Sequence, residues 1–402
     1  MEKIRLGIIG IGNMGSNHAK KIVGGKCPGF ELVAIADISE ERHNWAKETL
    51  GEGIRLFFDA DEMIGSGMID ACLIAVPHYD HPRYAIACMQ KGIHVLVEKP
   101  AGVYTKQVQE MNAEADKHPE VKFGMMFNQR TNHIYRKLHD LVQSGVYGNI
   151  RRTNWIITNW YRPQCYYDSG AWRATWSGEG GGVLLNQCPH QLDLWQWICG
   201  MPKRVHAFLH YGKWHDIEVE DDVTAYVEYE NGATGVFITT TGDGKGSNRL
   251  EIQLDKARII AEGEKLDVLE YEMSEPEFSR TNTNPFGSVQ ATPVEIETDG
   301  QNEMHVGVIN AWGGAILRGE PMIADGREGI NGLTISNAMH LSSWLGQTVE
   351  LPFDEDLYYN ELMKRVATSR RKTNVKTVTA DTSASYAGTA DGEFKDHWKT
   401  NW

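Results

Sequence analysis

The stretch that most constrains this chain is its beginning. A short apolar run, Ile4 to Ile9, leads into Gly10-Ile-Gly12-Asn13-Met14-Gly15 and then into a helical pattern from Ser16 to about Val23. A G-x-G-x-x-G that follows a strand and opens a helix is built to receive a pyrophosphate. Gly10 permits the tight turn, Gly12 lets the backbone approach the anion, and Gly15 lets the helix pack closely on the strand. At the helix start, Asn13 and Met14 would add free N–H groups and the positive end of the helix dipole. A second strand, Glu31 to Ala36, ends in Asp37. An acidic residue at this distance accepts hydrogen bonds from ribose hydroxyls and repels a 2′-phosphate. The pattern predicts a dinucleotide site for NAD in preference to NADP, with Arg42 as the nearby residue that argues the other way.

The doubly wound rhythm continues. Ile69 to Val76 is a third buried run, ending at Pro77-His78-Tyr79-Asp80-His81-Pro82. Tyr84 to Gln90 reads as helix, closed by Lys91-Gly92. His94 to Val97 is a strand that stops at Glu98-Lys99-Pro100, because proline cannot donate to a sheet ladder. Thr105 to Lys117 is a polar-faced helix with Thr105 as its expected N-cap, and Val121 to Phe127 returns as a strand before Asn128. In an open parallel sheet, chemistry sits beyond the carboxyl ends of the strands. Asp37, Pro77, His78, Glu98, Lys99 and Asn128 should therefore share one edge with the glycines. His78 and His81 either flank a nicotinamide there or pack the loops.

Beyond residue 125 the pattern changes. His133 to Ser144 is helical, and strand character then dominates: Ile150 to Trp160, Arg204 to Tyr211, Asp222 to Glu230, Ala233 to Thr240, Arg249 to Leu254, Ala257 to Glu262 and Lys265 to Tyr271. Asn231-Gly232 is a strong hairpin turn. Consecutive strands with short turns imply a mainly antiparallel sheet with one open face. Residues 273 to 297 are expected as a long surface loop, and Val306 to Arg318 and Gly329 to Leu345 as helices.

Within this half, aromatic residues concentrate between Trp155 and Trp197. Flat apolar rings suit the C–H face of a sugar while polar neighbours take its hydroxyls. Trp195 and Trp197, on a helix, are assigned to the core. Tyr161-Arg162 and Trp172-Arg173 lie in loop-like sequence and are candidate substrate contacts. Gly180-Gly-Gly-Val-Leu-Leu-Asn186-Gln-Cys-Pro189-His190-Gln-Leu-Asp193 follows. Pro189 suits a first helical turn, His190 and Asp193 share a helix face, and Asn186 precedes on the same side. Asn186 and His190 are candidates for both catalysis and substrate binding.

With 402 residues the chain exceeds one ordinary core. The expected division is residues 1–125, a nucleotide-binding domain; 126–350, a substrate and oligomerisation domain; and 351–402, a C-terminal helix and extended arm. A net charge of −14 argues against nucleic acid or an anionic membrane as partner. No apolar run is long enough to span a bilayer, the first residues go straight into a strand without a signal-peptide layout, and the six cysteines form no C-x-x-C pair, so a cytoplasmic protein with reduced thiols is expected. His206, His210 and His215 show no convergent ligand set, and no metal is expected. The polar tail beyond Arg370 is expected to dock on the body or on a neighbouring subunit, with Trp398 and Trp402 as anchors.

Taken together, Gly10-x-Gly12-x-x-Gly15, Ala75-Val-Pro77 with His81, Glu98-Lys99-Pro100 and the segment from Gly180-Gly-Gly to His190-x-x-Asp193 resemble the glucose–fructose oxidoreductase and inositol dehydrogenase family (Gfo/Idh/MocA) over roughly residues 4 to 352. The resemblance implies an α/β fold: an N-terminal Rossmann domain with a doubly wound parallel sheet, then a C-terminal α/β domain whose large, mainly antiparallel open-faced sheet often serves oligomer contacts. It also implies pyridine-nucleotide redox chemistry on sugars or cyclitols, with Lys99 as catalytic lysine and His190 as candidate acid/base. The chain departs from the family pattern at Asn186, where aspartate is frequent. An amide orients a partner but carries no charge, and Asp193 is either a substitute for that charge or structural. The expected activity is oxidation of a secondary ring hydroxyl of a sugar, glycoside or cyclitol by a homo-oligomer. The alternatives are a glycoside-cleaving enzyme that recycles a bound NAD and a non-catalytic nucleotide-binding regulator.

Overall fold

A computed structural model describes residues 3–370, 372 and 375. Trp398 and Trp402 lie outside the described residues. The first part of the chain alternates strands and helices: β1 (Ile4–Ile9), α1 (Asn13–Val23), β2 (Phe30–Ala36), α2 (Glu40–Leu50), β3 (Arg55–Phe57), α3 (Ala60–Gly65), β4 (Ala71–Ile74), α4 (His81–Met89), β5 (His94–Val97), α5 (Thr105–Lys117) and β6 (Phe123–Met125). The six strands form one parallel sheet in the order β3-β2-β1-β4-β5-β6. Buried Leu6, Ile8, Leu73 and Val95 fill its two faces, as expected where helices cover both sides.

Several elements differ from the sequence reading. Helix α1 begins at Asn13 with Gly12 as its N-cap. Thr105 is not the cap of α5; Tyr104 is, and the Thr105 N–H is taken by Asn337 Oδ1 at 3.1 Å. Helix α2 escaped notice because it buries only His43 and Ala46, which leaves no apolar stripe to read.

The second part comprises α6 (His133–Gln143), β7 (Ile150–Ile157), α7 (Gln164–Tyr167), α8 (Pro189–Cys199), β8 (Arg204–Tyr211), β9 (Glu220–Glu228), β10 (Thr234–Thr240), β11 (Asn248–Leu254), β12 (Ala257–Glu262), β13 (Lys265–Tyr271), α9 (Glu275–Thr281), β14 (Ala291–Val294), α10 (Met304–Arg318), α11 (Gly329–Leu345), β15 (Val349–Glu350) and α12 (Glu355–Thr368). Nine strands form a sheet in the order β14-β13-β12-β11-β7-β10-β9-β8-β15. All neighbours are antiparallel except β7 and β10, which are parallel. The expected loop at 273–297 instead holds α9 and β14; the latter pairs with β13 and extends the sheet by one edge strand.

Alternation along β8 and β9 sends Val205, Ala207, Val223 and Ala225 into the core. Phe208 and Tyr226 point to the other face, at 61% and 43% exposed. That open face matches the expectation.

The boundary at residue 125 is less clean than the sequence implied. Helix α10 returns to the first sheet, where Val308, Ile309 and Trp312 join a core with Leu6, Ile8 and Phe30. Trp312 stacks on Phe30 at 5.1 Å and donates from Nε1 to the Lys122 carbonyl. Asp325 then bridges to Gly124 on β6. One face of α10 thus packs with the first sheet, while Met304 at its start donates its N–H to Thr131 Oγ1 at 2.8 Å.

Candidate active site

The parallel strands end along one edge. Gly10 N donates to Ala36 O, Glu98 N to Ile74 O and Met126 N to Val97 O, so each strand hands the chain to its neighbour's end. At the first turn Gly10 has φ +84°, and a Cβ there would meet Ala75 O at 2.6 Å. A Cβ on Gly15 would meet Gly10 O at 1.9 Å, whereas one on Gly12 would meet nothing within 4 Å. Close packing thus demands Gly10 and Gly15, while Gly12 borders open space. Helix α1 starts there with no side-chain cap, leaving Asn13 and Met14 at an anion-attracting helix end. The space at Gly12 and the uncapped helix fit a dinucleotide diphosphate.

Asp37 terminates β2. Its Oδ2 accepts the Ile11 N–H at 2.8 Å and its Oδ1 the Ser39 N–H at 2.9 Å, which fixes the carboxylate beside the glycine turn. Arg42 donates to Ile11 O at 2.7 Å and lies over Trp45. At the far end of the edge, Asn128 is fully buried; its Nδ2 faces His305 Nδ1 at 3.5 Å, and its Oδ1 has no hydrogen-bond partner. That orphaned acceptor suits a donor such as a carboxamide.

Glu98, Lys99 and Pro100 leave β5 with a cis Lys99–Pro100 peptide. Glu98 is buried against α1, 2.6 Å from His18 Nε2. Burial raises its pKa, but the hydrogen bond and charge of His18, with His305 and Lys99, outweigh this and hold the carboxyl at about 2. Lys99 projects the other way and donates from Nζ to the main-chain carbonyl of Asn186 at 2.8 Å. Burial lowers the lysine pKa; Glu98 and Glu179 pull it up, Arg162 and Arg173 push it down, and the net direction is down. An amine so placed is a better base near neutrality than a solvated lysine.

His190 is the second residue of α8, after Pro189 at the first. It is buried, and burial, then the charges of Lys99 and His305, hold its pKa well below the ordinary imidazole value. The ring is therefore neutral at pH 7. Asp193 does not serve it. Arg130 grips Asp193 in a bidentate pair, Nε to Oδ2 at 2.8 Å and a terminal nitrogen to Oδ1 at 2.6 Å, and also reaches Glu328 at 2.7 Å. The carboxylate of Asp193 is thus committed to Arg130, the contact a structural role requires.

The two loop histidines part company. His78 donates from Nδ1 to Glu179 O at 3.1 Å and meets Trp172 edge-on at 6.0 Å. Burial, then the charges of His81 and Lys99, lower its pKa. His81 instead has both ring nitrogens against main-chain carbonyls, Pro100 O at 2.7 Å and Val76 O at 2.8 Å. These contacts hold the His81 ring against the loops at Val76 and Pro100. Pro77 sits exposed just before His78.

The loop from Thr158 to Cys188 forms the other wall. Arg173 lies over Tyr166 and Trp172 at 4.5 and 4.7 Å and donates to Tyr166 Oη at 2.8 Å. Arg162 covers Trp160 and Tyr166. Tyr161 is 46% exposed at the rim. Trp195 is core, stacked on Phe237, and Trp197 stacks on His139 under Arg130. Two carboxylates that the sequence reading passed over organise this wall. Glu179 binds the Ala174 N–H and the Asn186 amide. Glu220 accepts the Gly182 and Leu184 N–H groups at 2.8 and 3.0 Å and pairs with His340. Glu179 stood visible as an acid beside three glycines; His18, His305 and Glu220 carry no local signal.

A parallel nucleotide-binding sheet whose strand edge presents a lysine to a mixed-sheet domain defines a two-domain pyridine-nucleotide oxidoreductase fold. The chain belongs to the Gfo/Idh/MocA oxidoreductase family. Residues 4–125 match its NAD-binding Rossmann fold and residues 135–260 its C-terminal domain. The chain is 27% identical over 267 residues to the myo-inositol 2-dehydrogenase of Thermotoga maritima, covering 64% of this chain and 75% of that protein. It is 27% identical over 202 residues to the rhizopine catabolism protein MocA of Rhizobium meliloti, covering 50% of this chain and 58% of MocA. Among solved structures, the WlbA dehydrogenase from Bordetella pertussis in complex with NADH and UDP-GlcNAcA superposes with a TM-score of 0.73 at 27% identity, over 88% of this chain and all of that one. Levoglucosan dehydrogenase in complex with NADH shares the fold at 19% identity and a TM-score of 0.72, over 88% of this chain and all of that one. Among the described residues no helix is long and apolar enough to cross a membrane.

Proposed function

We propose that the protein is an NAD-dependent dehydrogenase that oxidises a secondary ring hydroxyl of a sugar, glycoside or cyclitol. The observation that carries this reading is Lys99: its amine, with lowered pKa, leaves the strand edge toward Asn186 and lies in the company of neutral His190, His78 and two arginines. Relatives support the substrate class, since their names specify myo-inositol, UDP-GlcNAcA and levoglucosan.

Gly10, Gly12, Asn13, Met14 and Gly15 would hold the diphosphate, Asp37 the adenosine ribose, and Asn128 the nicotinamide end. Asp37 carries the preference for NAD, because a 2′-phosphate would stand against its carboxylate. When bound, the cofactor supplies the hydride acceptor. The chain's own task is the hydroxyl proton. The unprotonated form of Lys99, favoured by burial, takes it at Nζ, and His190 is placed to accept it next or to hold the hydroxyl in line. Asn186, Arg162, Arg173 and Trp172 would orient the ring, with Tyr161 at the mouth. Glu98 stays with His18 and steadies the lysine's strand end.

Mixing the purified protein with NAD and a panel of inositols, hexoses and glycosides tests this. NADH in proportion to product supports it. Glycoside loss without free NADH would overturn it in favour of cleavage with a recycled cofactor. NAD binding without any turnover across the panel would favour a regulator. The open sheet face, with Phe208 and Tyr226, is proposed as the contact between copies of the chain in a cytoplasmic homo-oligomer.

A further inference from the structure

One buried carboxylate near the lysine has no part in the chemistry above. Glu179 lies just before the glycine run and is 2% exposed. Its Oε2 accepts the Ala174 N–H at 2.6 Å, and its Oε1 takes the side-chain amide of Asn186. Its main-chain oxygen meets His78 Nδ1. Two donors converge on the carboxyl group, which is the arrangement an ionised acid requires. An acid that accepts from Asn186 Nδ2 also settles which way that amide faces: Nδ2 is committed to Glu179, and Oδ1 is turned away from it. Asn186 is only half-buried, so an oxygen on that side is available to a ligand. The main-chain oxygen of the same asparagine is the acceptor for Lys99 Nζ. Asn186 therefore joins a buried carboxylate to the amine, one contact through its side chain and one through its backbone.

We propose that Glu179 is a positioning residue of the active site: it locks the Asn186 amide so that Oδ1 faces a substrate hydroxyl, and it sets a fixed negative charge behind the Asn186–Lys99 contact. A neutral asparagine thereby works with a carboxylate in reserve. The proposal rests on the dehydrogenase reading for its substrate, and on geometry alone for its charge.

The charges around Glu179 are mixed. Arg173 and Lys99 lie near it, with Lys372 from beyond α12; Glu220 and the Tyr167 phenol face it as acids. Burial, with the charge of Glu220, raises the carboxyl pKa; Arg173, the Ala174 N–H and the Asn186 amide oppose this, and the net direction is up. For Lys99, Glu179 is one of the two groups that favour the ammonium form. Removing its charge should leave the lysine deprotonated at lower pH.

The test reads the lysine directly, without turnover. The full-length protein, Glu179→Gln and Glu179→Asp are pulsed with acetic anhydride across pH 6–10, in the scale set by a free lysine at ~10.4. Acetylation at Lys99 is followed by peptide mass spectrometry against exposed Lys364 as internal standard. In Glu179→Gln the Lys99 midpoint should fall by roughly half to one unit, making its acetylation about three- to tenfold faster on the rising limb. Glu179→Asp keeps the charge and should titrate near the parent. An unmoved midpoint in Glu179→Gln overturns the proposal. So does an equal shift in both variants, which would mark a loosened loop in place of a charge effect. The function is read separately: NADH formation by the parent protein decides the dehydrogenase reading whichever way Lys99 titrates. Where the parent turns over, the acid limb of kcat/KM should move down in pH with the Lys99 midpoint.

Discussion

Lys99 Nζ and the main-chain oxygen of Asn186 lie 2.8 Å apart, across 87 residues of sequence and between the two domains. The amine at the end of β5 is thus seated by the glycine-rich loop of the second domain. Neither domain completes the site alone. Because the acceptor is a carbonyl, the contact holds the amine without neutralising it, and the lowered pKa comes chiefly from burial. Lys99→Ala should leave the nucleotide cradle at Gly10–Gly15 untouched. It is expected to lower kcat by at least ~100-fold, the usual loss for a general acid/base. NADH fluorescence titration should give a Kd close to the parent; near-parental turnover would refute the role.

The Arg130–Asp193 pair predicts the opposite kind of defect. Both groups are almost fully buried and joined by two hydrogen bonds, tying the turn after β6 to α8. Breaking such a pair leaves an uncompensated charge and costs about 3–5 kcal/mol. Asp193→Ala should therefore unfold at much lower denaturant concentration. The refolded protein should keep the parent's pH profile if Asp193 has no share in proton transfer. Full stability with lost turnover would return Asp193 to the catalytic set.

These two cases show where sequence reading succeeds and stops. Gly10, Gly12, Gly15 and Asp37 were legible because their roles follow from local backbone needs and fixed spacing. Lys99 was legible because the proline behind it marks a strand end. Asp193 was ambiguous, since helix spacing places it on the face of His190 but says nothing of Arg130, 63 residues away. His81 occupies a motif position but spends both ring nitrogens on carbonyls. Helix α10 was recognisable as a helix, but its place on the first sheet depends on Trp312 meeting Phe30. His18 and His305 enter the site only through tertiary contact, at 5.5 Å from each other.

Acid stability should report the Glu98–His18 contact. The Glu98 carboxyl is held at about 2 against an unperturbed 4.5. A group with a depressed folded pKa contributes stability above its unfolded pKa and loses it as pH falls through the folded value. The parent should therefore lose about 3 kcal/mol, in order of magnitude, between pH 4.5 and 2 from this group. Glu98→Gln should lack that component, flattening the urea midpoint against pH in this window. An identical acid limb in the variant would deny Glu98 the contribution.

The segment after α12 clasps the substrate wall. Ser369 Oγ donates to Glu218 Oε2 at 2.5 Å and the Arg370 N–H to Glu218 Oε1 at 2.6 Å, while Glu218 also receives the Trp176 N–H. Lys372 reaches Tyr167 O at 3.0 Å. Ending the chain after Thr368 removes all of these except the Trp176 bond, and none of them touches the nucleotide cradle. The expected result is a several-fold rise in KM for the sugar with NAD affinity unchanged. Parental KM in the truncated protein would show that the loop holds itself.

The open sheet face makes the last prediction. Phe208, Tyr226 and Ile156 stand at 61%, 43% and 38% exposed on β8, β9 and β7. Register places Phe208 opposite Thr224, two residues before Tyr226 on β9, and pairs Tyr226 with Val236 and Ile156 with Ile238, so the apolar side chains run across three hydrogen-bonded neighbours and β7. The face behind them is the packed core of Trp155 and Phe237. Apolar residues gathered on one side of a sheet favour burial against a second surface. A charge at the centre of such a contact would have to be desolvated without a partner. Phe208→Glu should shift the light-scattering mass to that of a single chain while leaving the melting of the two domains and NAD binding close to the parent. A parental mass in this variant would overturn the proposed contact between copies on this face.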